Sequence, residues 1–503
     1  SGVPQRDIQG YSVFQQAGLL SYVGQLSYDY KGKYILNGSY RADASSRFGA
    51  NTKWGYFKSA SASWILSEEN FIKKINWISL LKVRASYGTS GTMPDDFYAP
   101  FNSWNVNQGT YNGISIATPS FTKPIALPNL TWNKSVQANI GADIYLFQNR
   151  LNLTFDLYRR TNENSIGTFP FPFYTGYTNV TYNAPVKILN EGVEFSVQTR
   201  NLSPNSKLQW NTNIAFSFNK NRLAALPNGN RSFYIDSRNY NQQIGFVVGQ
   251  PIYTFYQMKY AGVYNTEAEI PVNPLTGQKI TYFKGYQNVY AGFPKWIDVN
   301  KDWDVWSGED RGDAFGDLVA SGDPNPKVTG GFSNEFFYKN FSLGVYCTYT
   351  FGRDIINTFE SNQFAGVWNF GYIYNYANQR LPDLSQYNYW LPENQKGDIA
   401  PATFPSLNPY GANFYQFLPF STMWNDNGSY LRIKSITLGY SLNRKLIEKI
   451  KVQNVRFYSV LDNVHIFQKA RVPDAELVSP QGEYTGAAYP IPKKITLGID
   501  VTF

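Results

Sequence analysis

Ile491-Pro492-Lys493-Lys494-Ile495-Thr496-Leu497-Gly498-Ile499-Asp500-Val501-Thr502-Phe503 closes the sequence. Ile495, Leu497, Ile499, Val501 and Phe503 alternate with Thr496, Gly498, Asp500 and Thr502. A strand through them has one apolar face and one small or polar face. It would suit a soluble sandwich. It would equally suit an outer-membrane barrel, with lipid on one face and lumen on the other. One strand does not choose between these, so the choice falls to the rest of the chain.

The composition narrows the classes. Of 503 residues, 16% are charged and 17% aromatic, and no apolar run reaches the roughly 18 residues of a transmembrane helix. Abundant aromatics without long apolar runs suit alternating strands, in which half of each strand is polar. The single cysteine, Cys347, excludes an internal disulfide framework. The first residues show no charged segment followed by an apolar one, so no signal peptide is expected. A formal charge of +9 without Lys/Arg clusters interleaved with aromatics argues against nucleic acid as a partner and for dispersed, solvated lysines.

The same alternation recurs along the chain. Leu20 to Asp29 and Tyr34 to Arg41 flank the turn Lys31-Gly32-Lys33, a tight hairpin of strands long enough to cross a bilayer at a tilt. A third strand ends at Trp64. Ser67-Glu68-Glu69 before Phe71, Ile72 and Ile75 predicts a short capped helix. Further strands are predicted around Leu81–Tyr87, on both sides of Gln148-Asn149-Arg150, at Val193–Val197, at Gln209–Phe218, at Gly330–Tyr338, at Phe341–Tyr349, at Leu431–Leu442 and at Val455–Val464. Residues 222–326 must hold an even number of crossings, zero included, for the flanking strands to run oppositely. Thirteen crossings result. Short connections alternate with long ones, as periplasmic turns alternate with extracellular loops, which puts the C-terminus on the periplasmic side.

Several stretches resemble a known family. They are Asp43-Ala44-Ser45-Ser46-Arg47-Phe48-Gly49, Trp54-Gly55-Tyr56-Phe57 to Trp64, and Leu81-Lys82-Val83-Arg84-Ala85-Ser86-Tyr87-Gly88. Gly322-Asp323-Pro324-Asn325-Pro326 with Thr329-Gly330-Gly331-Phe332, Asn427 to Lys434, and Tyr489 to Phe503 extend the match in order. Together they are similar to the SusC/RagA-type TonB-dependent transporters of Bacteroidetes outer membranes. The resemblance implies a 22-strand transmembrane antiparallel β-barrel with a plug domain inside and a SusD-like lipoprotein on its outer side. It also implies coupling to TonB–ExbB–ExbD through an N-terminal part, and contact with lipopolysaccharide and other outer-membrane lipid. On that pattern residues 1–503 are the C-terminal part of the barrel. The plug and first barrel strands are expected upstream, and the end strand is expected to need a second neighbour.

Few residues carry chemistry of their own. Asp298, Asn300, Asp302 and Glu309 stand at positions one, three, five and twelve of a calcium-loop spacing, so a Ca²⁺ ion in an extracellular loop is one reading. Trp303 holds the sixth position, where the pattern requires glycine, and the bland alternative is an acidic loop. His465 is the only histidine, which removes every histidine triad or multi-histidine metal site. It is read as an interfacial residue, and Cys347 as a small lipid-facing one. Glu68 and Glu69 are explained by the predicted helix start. No cofactor is required and no enzymatic site is expected. Tyr372, Tyr374, Tyr376, Tyr387, Tyr389 and Trp390 are candidate contacts for cargo or for the lipoprotein. Packing of loop against loop explains them equally well.

The leading reading is TonB-dependent import of an oligosaccharide or oligopeptide across the outer membrane. The rivals are a passive porin-like channel and a barrel scaffold in a surface or secretion-associated complex.

Overall fold

A computed structural model describes residues 14–102, 104–119, 126–170, 174, 179–230, 232–236, 243–306, 315–367, 383–397, 399–407, 417, 420–443 and 452–502. Thirteen strands pair in chain order in one antiparallel sheet. They are β1 (Leu19–Tyr30), β2 (Tyr34–Ser45), β3 (Trp54–Ile65), β4 (Ile78–Thr92), β5 (Asn133–Leu146), β6 (Leu151–Glu163) and β7 (Lys187–Arg200). The set continues with β8 (Leu208–Ala225), β9 (Val328–Tyr338), β10 (Phe341–Phe351), β11 (Tyr430–Ser441), β12 (Asn454–Gln468) and β13 (Lys494–Thr502). Residues 222–326 add no crossing. β8 pairs directly with β9, from Leu208 opposite Tyr338 to Phe218 opposite Val328. β1 and β13 are the end members of the order, each hydrogen-bonded on one side only among the described residues.

The chain divides into two compact units. The first comprises Ser1–Glu69, Lys82–Ile140 and Tyr158–Leu189; the second comprises Asn70–Leu81, Gly141–Leu157 and Asn190–Phe503.

In the first unit the turn after β1 is closed by Lys31 and Gly32 at φ 58° and 63°, with the Asp29 carboxylate accepting from the Gly32 N–H at 2.7 Å. Register then sorts the side chains. Leu20, Tyr22, Leu26 and Tyr28 of β1 share a face with Leu36, Tyr40 and Ala42 of β2 and with Trp54, Tyr56 and Ala60 of β3. Ser21, Gln25, Ser27, Ser39, Asn37, Ser59 and Ser61 share the other. In β2 and β3 the apolar face is the more exposed one, inverting the arrangement of a soluble sheet, while β1 is exposed on both faces. Aromatic pairs mark both of its ends: Tyr22 stacks on Trp54 at 6.0 Å, and Tyr34 on Trp64 at 6.1 Å. Trp54 lies opposite Ala44. The stretch from Tyr34 to Ala44, at about 3.3 Å per residue and a tilt of about 40°, spans roughly 25 Å along a membrane normal. That is the height of a barrel's apolar band.

The second unit repeats the inversion. In β13, Ile495, Leu497 and Ile499 are 69%, 78% and 61% exposed. Across the register Ile495 meets Leu461 of β12, then Ile436 of β11 and Val345 of β10. The opposite face carries Thr496, Thr437, Ser435, Asp462, Arg456 and Asp500. Tyr458 lies across Gly498, where a Cβ would come within 2.2 Å of the end of its ring, so a larger residue there requires that ring to move.

The polar-looking segments of this unit hide its core. Residues of 254–322, 354–367 and 383–425 close on one hydrophobic cluster that includes Phe255, Tyr282, Trp296, Phe364, Phe404, Phe420 and the fully buried Trp424. The long loops therefore fold as a water-soluble protein does, while the strands expose their apolar side chains.

Three local expectations are corrected. The capped helix after β3 is a single 3-10 turn, Leu66–Glu68, begun at Ile65 without a side-chain cap. Glu69 instead accepts from Lys33 Nζ and the Tyr34 hydroxyl at 2.9 Å each and from the Trp64 indole at 3.3 Å, so bonds across the turn explain it rather than a helix dipole. His465 lies within β12, not beyond it, with its ring edge-on to Phe467 at 4.5 Å. Cys347 does lie on the apolar face, between Phe332 and Ile433 in register, but its neighbours bury it. Phe503 lies outside the described residues.

Candidate functional site

The loop cluster of the second unit holds the described aromatic candidates and the acidic loop. Its segments are stitched by backbone and side chain alike. Met258 N–H donates to Phe420 O at 2.7 Å, the Tyr260 hydroxyl to Thr403 O at 2.7 Å, and the Trp296 indole to Ser421 Oγ at 3.1 Å. Asn265 accepts from the Ala402 N–H at 2.7 Å through its side chain and from the Trp390 indole at 3.0 Å through its carbonyl. Burial pushes the Tyr260 and Tyr282 phenols above their ordinary range, so both stay neutral donors; the Tyr282 hydroxyl donates a hydrogen bond to Pro294 O at 2.6 Å.

This geometry places the aromatic candidates. Trp390 is buried beside Val263, Ala291 and Ala402. Tyr387 packs on Phe364 and Phe404 at 4.9 and 4.8 Å, and Tyr389 is half-buried against the same cluster. These three take the loop-against-loop role that the sequence also allows. Tyr372, Tyr374 and Tyr376 lie outside the described residues. The aromatics that this cluster leaves in solvent are others: Tyr286 is 88% exposed and Tyr290 39%, with Leu275 at 93% on a hairpin tip. Sequence reasoning passed over them. The Lys284-Gly285 turn before Tyr286, with both residues at positive φ, was the available signal.

The acidic loop is closed by its own backbone. Asp298 accepts from the N–H groups of Lys301 (2.6 Å) and Trp303 (2.9 Å), and Asn300 from that of Asp302 (3.0 Å). Trp303 adopts φ 70°, the left-handed geometry for which the calcium pattern reserves glycine. Asp317 ties the loop down by accepting from Val299 and Trp306 at 2.7 and 2.8 Å. Burial pushes its carboxyl up, against those donors. Among the described residues no three acidic, histidine or cysteine side chains converge as a metal set, and Glu309 lies outside them.

A second anchor joins a later loop to the sheet. Arg432 of β11 is buried and donates to both oxygens of Asp474 at 2.5 Å, while its Nε lies 2.6 Å from Glu476, which also pairs with Lys434 at 3.1 Å. Ile355, Tyr430, Val472 and Tyr484 form a hydrophobic cluster that joins the same loop to the start of β11. On the polar face of the sheet, Ser333, Glu335, Phe337, Tyr346, Thr437 and Arg456 line a recess of about 250 Å³.

Comparison with known proteins fits this picture. The chain is 28% identical over 467 residues to TonB-dependent receptor P3 of Formosa agariphila, covering 90% of this chain and 42% of that protein. It is 26% identical over 465 residues to TonB-dependent receptor SusC of Bacteroides thetaiotaomicron, covering 90% and 40%. Among solved structures, the RagAB peptide transporter superposes with a TM-score of 0.76 at 23% identity, covering 97% of this chain and 47% of that one. The chain thus spans less than half the length of these relatives. Residues 2–334 match the family model described as TonB dependent receptor-like, beta-barrel. The chain belongs to the TonB-dependent receptor β-barrel family.

Proposed function

We propose that this chain supplies barrel wall and outer loops to a TonB-dependent importer of large nutrients, oligosaccharide or oligopeptide, working with a SusD-like surface lipoprotein. One observation carries the reading: rows of exposed apolar side chains on the strands stand beside a loop cluster with a closed core. That combination suits one segment in lipid and the other in water. Likeness to the RagAB peptide transporter favours a peptide over a glycan as cargo. The plug and TonB-binding segment are assigned to the N-terminal part of the same protein, the long loops to the cell exterior and the C-terminus to the periplasm.

Uptake of labelled oligopeptides and oligosaccharides by cells bearing the full-length transporter tests it. Uptake is expected to vanish when TonB is deleted; uptake that persists overturns the reading. Sidedness has its own check. Leu275→Cys is expected to react with a membrane-impermeant maleimide on intact cells, and labelling only after lysis would reverse the orientation.

A further inference from the structure

Asparagine followed by glycine is open to attack on its own side chain, because glycine has no Cβ to shield its backbone nitrogen. The sequence holds four such pairs, and the asparagine side chain is described in three: Asn37-Gly38, Asn112-Gly113 and Asn427-Gly428. The fold treats the three differently. Gly38 lies within β2, paired to Leu26 on one side and Ala60 on the other, and the Asn37 side chain is bonded to Ser27 and Ser61. The Gly428 N–H donates to Arg353 O at 2.9 Å, while the Asn427 side-chain oxygen accepts from the Ser429 N–H at 2.9 Å.

Asn112 and Gly113 have neither restraint. They form the two-residue turn between strands Trp104–Tyr111 and Ile114–Pro119, a hairpin in the long connection from β4 to β5. Both take positive φ, 52° and 80°, as a tight turn matched to the strand twist requires. Both are exposed, and the space where a Cβ of Gly113 would stand is open. Among the described residues the Asn112 amide and the Gly113 N–H have no hydrogen-bond partner.

We propose that Asn112 is a site of spontaneous deamidation and reacts first among these three. The Gly113 nitrogen bonds to Asn112 Cγ. The bond from Cγ to the side-chain nitrogen breaks, and ammonia leaves carrying the Gly113 amide proton. A five-membered succinimide remains. Water opens it at the side-chain carbonyl to give aspartate or at the main-chain carbonyl to give isoaspartate, so one water is taken up and one ammonia lost. Either product puts a carboxylate at the tip beside Tyr111 and Ile114, which are 77% and 69% exposed. Isoaspartate also routes the chain through one more carbon, and a two-residue loop that closes Tyr111 against Ile114 has no slack for it. The hairpin therefore carries a slow, irreversible change of charge and shape. The assignment does not depend on cargo, on TonB or on the side of the membrane that the hairpin faces.

Peptide mapping by mass spectrometry of the full-length transporter, kept folded in mildly alkaline detergent buffer, tests the site. Asn112 is expected to convert at least about fivefold faster than Asn427, the factor that one backbone hydrogen bond is worth. Asn37 is expected to be slower still, because its strand must open first. Part of the product is expected as isoaspartate, and hydroxylamine, which cleaves a succinimide, is expected to cut the folded chain between residues 112 and 113. In urea the bonds that shield Asn37 and Asn427 are gone, so the three rates are expected to converge. Equal rates in the folded protein, or a lead for Asn37 or Asn427, overturn the proposal. A lead for Asn112 that persists unchanged in urea overturns it too.

Discussion

Single side chains reconcile polarity with an apolar surround by finding partners inside the sheet. Asn334 lies on the apolar face of β9, yet its Oδ1 accepts from the Trp210 indole at 2.9 Å and the Thr212 hydroxyl at 2.7 Å, so it presents a bonded carbonyl. Among the described residues no carboxylate pairs with Lys58, whose ammonium lies 5.9 Å from the Tyr40 ring centre, and an outward lysine costs about 2–4 kcal/mol at a bilayer midplane and about 0–1 near its edge. Glu69 shows the same logic at the short-turn end. Hydrogen bonds from Lys33 and Tyr34 hold its carboxyl below the usual glutamate range. Because the folded value lies below the unfolded one, its stabilisation is present at neutral pH and is lost as pH falls through the depressed value. Exchange of the Ile65 amide, which donates to Lys33 O at 2.8 Å, is therefore expected to quicken on acidification, and Glu69→Gln is expected to remove that pH dependence. Cys347 gives a simpler check. As a buried thiol on the apolar face it is expected to resist a water-soluble maleimide until the protein is denatured; fast labelling in the folded state would place it elsewhere.

At the level of the element, β11 and the loop after β12 are joined through one buried cluster of charge. Removing one partner of a buried ion pair strands the other, at a cost of about 3–5 kcal/mol. Asp474→Ala is expected to loosen residues 469–484 while the β11–β12 ladder stays protected, read as hydrogen exchange; unchanged protection of the loop would refute the anchor. The strands themselves were legible because each carries its own evidence: Trp210, Ile214 and Phe218 report a face without reference to anything distant. The turn at Leu66–Glu68 was not. Phe71, Ile72 and Ile75 have helical spacing, but Phe71 is 62% exposed and Ser67 caps nothing, so the spacing had no core to face. Nor was the loop core legible, because Trp296 with Ser421 and Phe364 with Phe404 are contacts between segments far apart in sequence, each polar by local count. Trp390 shows the effect on the candidate site. A tryptophan in a polar loop reads as a binding residue until Asn265 and Ala402 are seen to enclose it.

For the molecule as a whole, the second unit holds two kinds of interior, one made by its own loops and one supplied by lipid. The loop core draws on segments both before β9 and after β10, so neither part closes alone. Replacing residues 227–324 with a short turn is expected to leave the β8–β9 pairing intact, seen as a retained heat-modifiable barrel band. The same change should open residues 383–407 to protease, since Thr403 would lose the Tyr260 hydroxyl, and Ala402 and Trp390 would lose Asn265. A protected 383–407 segment would show that the second loop folds independently. There is also a consequence for how the sheet is assembled. Phe255 and Trp424 flank the β9–β10 hairpin in sequence and share one core. Bringing β8 against β9 means closing a span of about a hundred residues, and the entropy lost in such a closure grows with the logarithm of its length. Once the core has condensed in water that span is already gathered in. The hairpin is then held like a stitch between two fixed points, and its pairing with β8 and β11 starts from neighbouring ends instead of a free coil.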